Sequence, residues 1–423
     1  MVSVGIDMIE IERIEKCMKR EGFLNKFFGE EEILQLKSKK FIIQSVAANF
    51  CAKEAFSKAI GTGIRRFKLR EVEILRNEMG KPYIKLTGNA FDIAASNGYK
   101  FDVSLTHTKQ FASAVVVCEK VGDDKMEIIR NYEYIQSINM DMVRKKLPFR
   151  SAFAHKGTFG TLVAVCGSVG MAGAATMCIS SAVRCGVGLV RAVVPKGIYD
   201  IVAKQVVEAV YVLADENSDG TIGLSEVDKI LNCLKKSTAC VVGCGLGWNK
   251  DIKEILENII KNCKIPLLID ADGINVLSEN IDVLKEKQSE IVITPHVGEM
   301  ARLMGVSTDE INRNRLSYAK QLAQKYEITV VLKGHNTIIS DKEGNLFMNN
   351  TGNCGMAKGG SGDVLSGMIG AFLAQGLRGI DAAVCGVHLH GVAGDKCSEK
   401  LSKTAMLPTD MINELPNLFL EIE

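Results

Sequence analysis

Gly352 to Gly367 reads GNCGMAKGGSGDVLSG, with five glycines leading to Asp363 and an apolar helical pattern through Val364, Leu365, Met368, Ile369 and Phe372. A glycine-rich loop entering a helix leaves backbone N–H groups unpaired at the positive end of the helix dipole, which suits a phosphate. The carboxylate there can act as a base, or it can cap the helix as Asp often does. Spacing alone does not choose between them. Near the other end of the chain, Asp7 closes an alternating strand pattern, and Glu54 and Lys58 lie four apart on one helix face. An exposed salt bridge is the plain reading of that pair. Arg65, Arg66, Lys68 and Arg70 follow, a basic run suited to an acidic or phosphate-bearing partner or to a solvated surface.

These side chains need elements to hold them. In VSVGIDMIEI, Val2, Val4 and Ile6 alternate as in a strand, Glu10 to Met18 turns helical, and Gln44 to Ile60 reads as a second helix. RNEMGKPYIKL is two strands about a Gly80–Lys81–Pro82 turn, and FDVSLTHTKQFASAVVVCE is a hairpin whose turn contains His107. The first part is therefore α+β with a small antiparallel sheet. Further on, TLVAVCG, ACVVGCGLG, IPLLIDADG, IVITPH and ITVVLKG alternate with helical patterns. That order predicts an α/β domain whose mostly parallel sheet is covered on both faces and binds ligands at its carboxyl edge. The expected organisation is a first domain over 1–120, a linker over 121–126 and a second domain over 127–423.

Composition bounds the function. The 423 residues suffice for two or three domains, and a net charge of +2 gives no overall field for nucleic acid. Residues 1–120 hold 20 Lys/Arg against 15 Asp/Glu, and the remainder 32 against 35, so the first part is mildly basic. Thirteen cysteines without a CxxC pair or a zinc-finger spacing predict reduced, packed thiols and a cytoplasmic protein. Asp7 lies within a few residues of an alternating N-terminus, so no cleavable signal is expected. Gly157 to Val183 carries no charge, but its glycines and small polar residues fit a strand, a tight loop and a packed helix better than a membrane span. GxxGxxG at Gly167, Gly170 and Gly173 and GxGxG at Gly243, Gly245 and Gly247 are not the dinucleotide fingerprint, and there is no P-loop. His388 and His390 are two apart on a helix and face different directions, which favours packing over a shared metal.

GIDMIEIERI, AKEAFSKAIGTGIR, GKPYI and VSLTHT together resemble the holo-acyl-carrier-protein synthases, over the whole first domain and in order. The resemblance implies transfer of 4'-phosphopantetheine from coenzyme A to a serine of acyl carrier protein. Asp7 and Glu54 match the acids that hold Mg2+, and Lys58 the position that contacts the pyrophosphate, with Lys53 beside Glu54. Arg65 and Arg66 would suit the 3'-phosphate or the carrier protein, and His107 would lie near the nucleotide. Asn49 stands where relatives often carry Arg.

HKGTFGTLVAVCGS, GCGLG, IDADGINVL, TPHVGEMARLMG, LKGHNT and the Gly352–Gly367 loop resemble the ADP/ATP-dependent NAD(P)H-hydrate dehydratases of the ribokinase-like superfamily, from about His155 to LPTDMINELP. The resemblance implies that ADP or ATP drives loss of water from hydrated NADHX or NADPHX, with Asp363 as base and Gly359, Gly360, Ser361 and Gly362 as an anion hole. Lys333, Gly334, His335, Asn336 and Thr337 match its nucleotide-binding positions. His296 and Glu299, within Thr294 to Met300, match the substrate side, as do Ala174 and Gly247. A divalent ion is expected with the nucleotide. Lys358 replaces a common Thr and Cys354 a common Pro, so Lys358 either strengthens nucleotide binding or points to solvent. A separate epimerase and a homo-oligomer are expected, without a nucleic-acid or membrane partner.

The expected protein is thus a bifunctional enzyme. A ribokinase-like small-molecule kinase, or one domain serving as a non-catalytic binding module, stand as alternatives.

Overall fold

The computed structural model describes residues 2–120 and 135–423, apart from 21, 39, 62, 64, 65, 78, 79 and 98. The chain forms two compact units, Met1–Glu133 and Tyr134–Glu423. The expected linker at 121–126 lies outside the described residues, as does Arg65.

In the first unit, β1 (Val2–Glu10) and β4 (Tyr99–His107) flank β5 (Phe111–Lys120), all antiparallel, while β2 (Val72–Arg76) pairs with β3 (Pro82–Leu86). The helix Ile43–Ala59 lies across this sheet, and its buried face is rich in alanine: Ala47, Ala48, Ala52, Ala55 and Ala59. Small side chains let the backbones approach closely. A Cβ on Gly5 would stand 2.0 Å from the Ala55 carbonyl oxygen, so β1 can lie against this helix only with glycine at that position. The alternation of β1 turns Val2, Val4, Ile6 and Met8 outward, each more than half exposed.

The second unit is built on ten strands in the order β6-β15-β14-β13-β12-β11-β10-β7-β8-β9. They are β6 (Ile135–Ser137), β7 (Thr161–Val165), β8 (Leu189–Pro195), β9 (Val210–Ala214), β10 (Ala239–Val242), β11 (Leu267–Ile269), β12 (Ile291–Ile293), β13 (Thr329–Leu332), β14 (Thr337–Ser340) and β15 (Leu346–Asn349). Every pairing is parallel except those of β14, which is antiparallel to both neighbours. Two cores follow from strand alternation. Leu162 and Ala164 face the helices Ala172–Arg184, Ser361–Ala374 and Gly379–Ala405, whereas Val163 and Val165 face Lys250–Asn262 and Arg315–Tyr326. The uncharged stretch at Gly157 is accordingly a buried strand, a loop and a helix. Among the described residues no helix is long and apolar enough to cross a membrane.

Candidate functional site

Parallel strands β10, β11, β12 and β13 are neighbours, so the residues just past their carboxyl ends meet in space. These are Cys244, Asp270, His296 and Lys333. Of these, Asp270, His296 and Lys333 line one wall of a cavity of about 990 Å³, and Asp363 and the Gly352–Gly362 loop form the other. The helix Ser361–Ala374 begins beside it. Gly360 caps this helix at φ 101, a left-handed conformation that favours glycine.

Asp363 is the third residue of this helix, and the cap position belongs to Gly360. Asp363 is thus not the N-cap, and one of its carboxylate oxygens lies with one of Asp270 and with Cys244 Sγ in a group all within 4.8 Å of one another. Asp270 is the anchored member. Its Oδ1 accepts from Thr294 Oγ1 at 2.7 Å and Lys333 Nζ at 2.8 Å, and its Oδ2 from Ser366 Oγ at 2.6 Å. Burial pushes Asp270 up, but the Lys333 charge and these donors outweigh it and hold the carboxyl below its ordinary value. Lys333 is likewise kept charged: burial works against it, and Asp270 and Glu299 more than compensate.

Asp363 has no such compensation. Burial, followed by repulsion from Asp270, pushes its carboxyl up to about 6, with Cys244 and Lys333 offsetting only part. A carboxylate so placed is a base matched to neutral solution. Glu299 is pushed to about 7, again chiefly by burial. Its Oε2 accepts from the His296 backbone N–H at 2.7 Å, while His296 Nδ1 accepts from the Gly298 and Glu299 amides. That arrangement leaves the His296 proton on Nε2, 3.4 Å from Glu299 Oε1.

The structure gathers Lys333, Gly334, His335, Asn336, Thr337, Gly359, Gly360, Ser361, Gly362, His296, Glu299 and Asp363 around this single cavity. A Cβ on Gly362 would stand 3.4 Å from Lys333 Nζ, which sets the ammonium beside that residue of the loop. Ala174 and Gly247 do not line the cavity: Ala174 is buried against Gly245, and the Gly247 amide donates to Asp272 Oδ2 at 2.9 Å. Lys358 lines the cavity and is half-buried. Its ammonium donates to the carbonyls of Thr404 and Met406, both at 2.6 Å, tying the loop to the end of the helix Gly379–Ala405. Packing holds for His388, whose Nδ1 lies 3.0 Å from Asn349 Oδ1, but His390 lines the cavity.

The first unit presents a second group. Lys58 Nζ pairs with Asp7 Oδ1 at 2.8 Å and also donates to the Ile6 carbonyl, so the expected Glu54–Lys58 pair is replaced by one across elements. The Cys51 thiol donates to Asp7 Oδ2 at 3.3 Å. Burial and then Asp7 raise the Glu54 carboxyl. The Asp7 and Glu54 carboxylates offer the hard oxygen donors that a divalent cation takes. Lys53 is not part of it. It is fully buried, paired with Glu32 at 2.6 Å and donating to the Leu69 carbonyl. Asn49 is buried too, bonded to Glu32 and the Ile74 carbonyl and accepting from Arg76, so its exchange for Arg bears on the core and not on a ligand surface. Arg66 and His107 are exposed; sheet register sets His107 beside Ala112, opposite Ile9 and two residues along from the row of Asp7.

Residues 162–417 match the family model described as NAD(P)H-hydrate dehydratase. The chain belongs to that family. The dehydratase unit is preceded by residues 3–116, which match the 4'-phosphopantetheinyl transferase superfamily. A bifunctional NAD(P)H-hydrate repair enzyme of Moorella thermoacetica is 36% identical over 280 residues, covering 66% of this chain and 53% of that protein. The chain thus spans about half the length of such bifunctional relatives. An ADP-dependent (S)-NAD(P)H-hydrate dehydratase of Neisseria meningitidis is 34% identical, covering 61% of this chain and 84% of its own. The crystal structure of the Bacillus subtilis ADP/ATP-dependent NAD(P)H-hydrate dehydratase, grown with ATP and Mg2+, aligns with TM-score 0.59 and 27% identity over 68% of this chain and 99% of that one.

Three residues of the dehydratase site, Asp270, Cys244 and His390, carry no role in the sequence reading. Asp270 had a signal, an acid just past the strand IPLLI. Cys244 and His390 had none beyond their type.

Proposed function

We propose that the chain is a bifunctional enzyme that repairs hydrated NAD(P)H in its dehydratase unit and activates acyl carrier protein in its transferase-superfamily unit. The observation that carries the first activity is the Asp363 carboxylate, half-buried beside Asp270 at the mouth of the glycine loop. Asp363 removes the proton of the substrate C6 hydroxyl, whose oxygen attacks the terminal phosphorus of ADP, and AMP leaves. The Gly359–Gly362 amides and Lys333 stabilise charge on the transferring group without reorganising. Phosphate then departs from C6 as a C5 proton is lost, restoring the ring double bond. Lys333 already supplies the cation between Asp270 and Glu299, so a divalent ion would enter on the nucleotide phosphates.

In the first unit Asp7 and Glu54 would hold Mg2+, which neutralises charge on the coenzyme A pyrophosphate. Lys58 would turn from Asp7 to a phosphate oxygen, and Arg66 and His107 offer donors at the rim. This unit would serve fatty-acid synthesis in the cytoplasm. The outward row Val2, Val4, Ile6 and Met8 supports a homo-oligomer, since an apolar edge strand left in water invites pairing. A separate epimerase would supply the S epimer.

Incubating the protein with the hydrate and ADP tests the first activity. Reduced nicotinamide, AMP and phosphate in equal amounts support it. A stable phosphorylated product would instead establish the kinase reading.

A further inference from the structure

Five buried side-chain atoms among the described residues lack a hydrogen-bond partner: Glu32 Oε2, Glu226 Oε2, Arg315 Nε, Ser361 Oγ and His390 Nε2. The two glutamates are ion-paired, with Lys53 and Lys229, and Ser361 and His390 line the cavity already described. Arg315 belongs to neither group. It is half-buried, it stands outside the cavity lining, and among the described residues no acid pairs with its guanidinium.

Its position is costly in two further ways. Burial pushes the guanidinium down, and no neighbouring charge offsets the shift. Arg315 is also the first residue of the helix Arg315–Tyr326, whose first turn holds no acid, so its charge stands at the positive end of the helix dipole. What the side chain holds is a turn. Its Nη2 donates to the Leu332 carbonyl at 3.1 Å and its Nη1 to the His335 carbonyl, so the fork brackets Lys333 and Gly334. Within that turn Gly334 stands at φ 148 and Asn336 at φ 56, conformations that need outside support. A Cβ on Gly334 would come within 2.9 Å of Arg315 Nη2, so glycine also leaves room for the fork. The same turn, from Lys333 to Thr337, lines the cavity. A residue that breaks local rules in this way without local gain points to function.

We propose that Arg315 is a positioning residue for the nucleotide: it holds the Lys333–Thr337 turn in the conformation that receives ADP, without touching the ligand. The inference rests on the dehydratase reading. A turn that is only partly populated in its receiving form weakens binding by that fraction. Removing the fork takes away two charge-assisted bonds, enough to leave the receiving form about one-tenth populated or less.

Equilibrium binding of ADP to the full chain, to Arg315→Met and to Arg315→Lys tests this. ADP affinity is expected to fall about ten-fold or more in Arg315→Met and to recover most of the way in Arg315→Lys, which keeps a charged donor. In turnover the KM for ADP rises by the same factor, while kcat at saturating ADP and the KM for the hydrate change by less than about two-fold, because bound ADP reimposes the turn. Unchanged ADP affinity in Arg315→Met overturns the proposal. So does a lower kcat at unchanged KM, the mark of fewer folded molecules and a merely structural role. Should Arg315→Met fail to fold, Arg315→Gln, which lacks both the charge and the fork, is read in the same way. The dehydratase reading fails separately: a wild-type protein whose ADP affinity depends on Arg315 yet forms no reduced nicotinamide refutes dehydration and leaves the positioning role standing, whereas one without ADP affinity overturns both.

Discussion

Asp363 is where proton affinity and stability pull in opposite directions. Its carboxyl is held near 6 against an unfolded value near 4, so between those limits the native state binds more protons than the unfolded chain. Stability from this group therefore falls as pH rises through about 4 to 6, and above that window the cost is about 2–3 kcal/mol. Asp363→Asn should abolish formation of reduced nicotinamide, yet raise the thermal midpoint at pH 8 and leave it unchanged at pH 4. In the wild type, kcat/KM should fall as pH drops through about 6, because the base must be ionised. Lys333→Met should instead cost about 3–5 kcal/mol in urea unfolding, since it strands the buried Asp270 carboxylate. Asp363 was legible because it ends a glycine loop. Asp270 was visible only as an acid after a strand, since its partners lie 24, 63 and 96 residues further along the chain. Helical geometry separated His388 from His390, but which of them meets the cavity depends on where Asn349 stands.

Elements were easier to read than their fastenings. The strand–helix alternation is plain in the sequence, and so is the parallel sheet it implies. The clamp from Lys358 to the carbonyls of Thr404 and Met406 was not, because it joins a loop to a helix end more than forty residues later. That clamp fixes the loop before nucleotide arrives. Lys358→Met should raise the KM for ADP several-fold, on the order of one lost charge-assisted contact, with kcat at saturating ADP little changed. Lys358→Arg, which keeps the charge and the donors, should restore most of the effect. β6 also escaped sequence reading: three residues are too short for a periodic pattern, and only pairing with β15 defines them.

At the scale of the molecule, the two units have separate cores and separate candidate sites. Asp7→Ala combined with Glu54→Ala should abolish phosphopantetheine transfer, followed by mass of the carrier protein, while dehydration proceeds at the wild-type rate. The division into two units was legible in the change from a small antiparallel sheet to strand–helix alternation. The first unit pairs β1 with β5, so its sheet is complete once residue 120 has been made. In the second unit β6, the outermost strand, hydrogen-bonds only to β15 and must wait for residues 346–349. On the ribosome, the first strand of that unit to emerge is therefore among the last to find its place. For some two hundred residues of synthesis, the growing chain has one finished sheet and one whose edge has nothing yet to join.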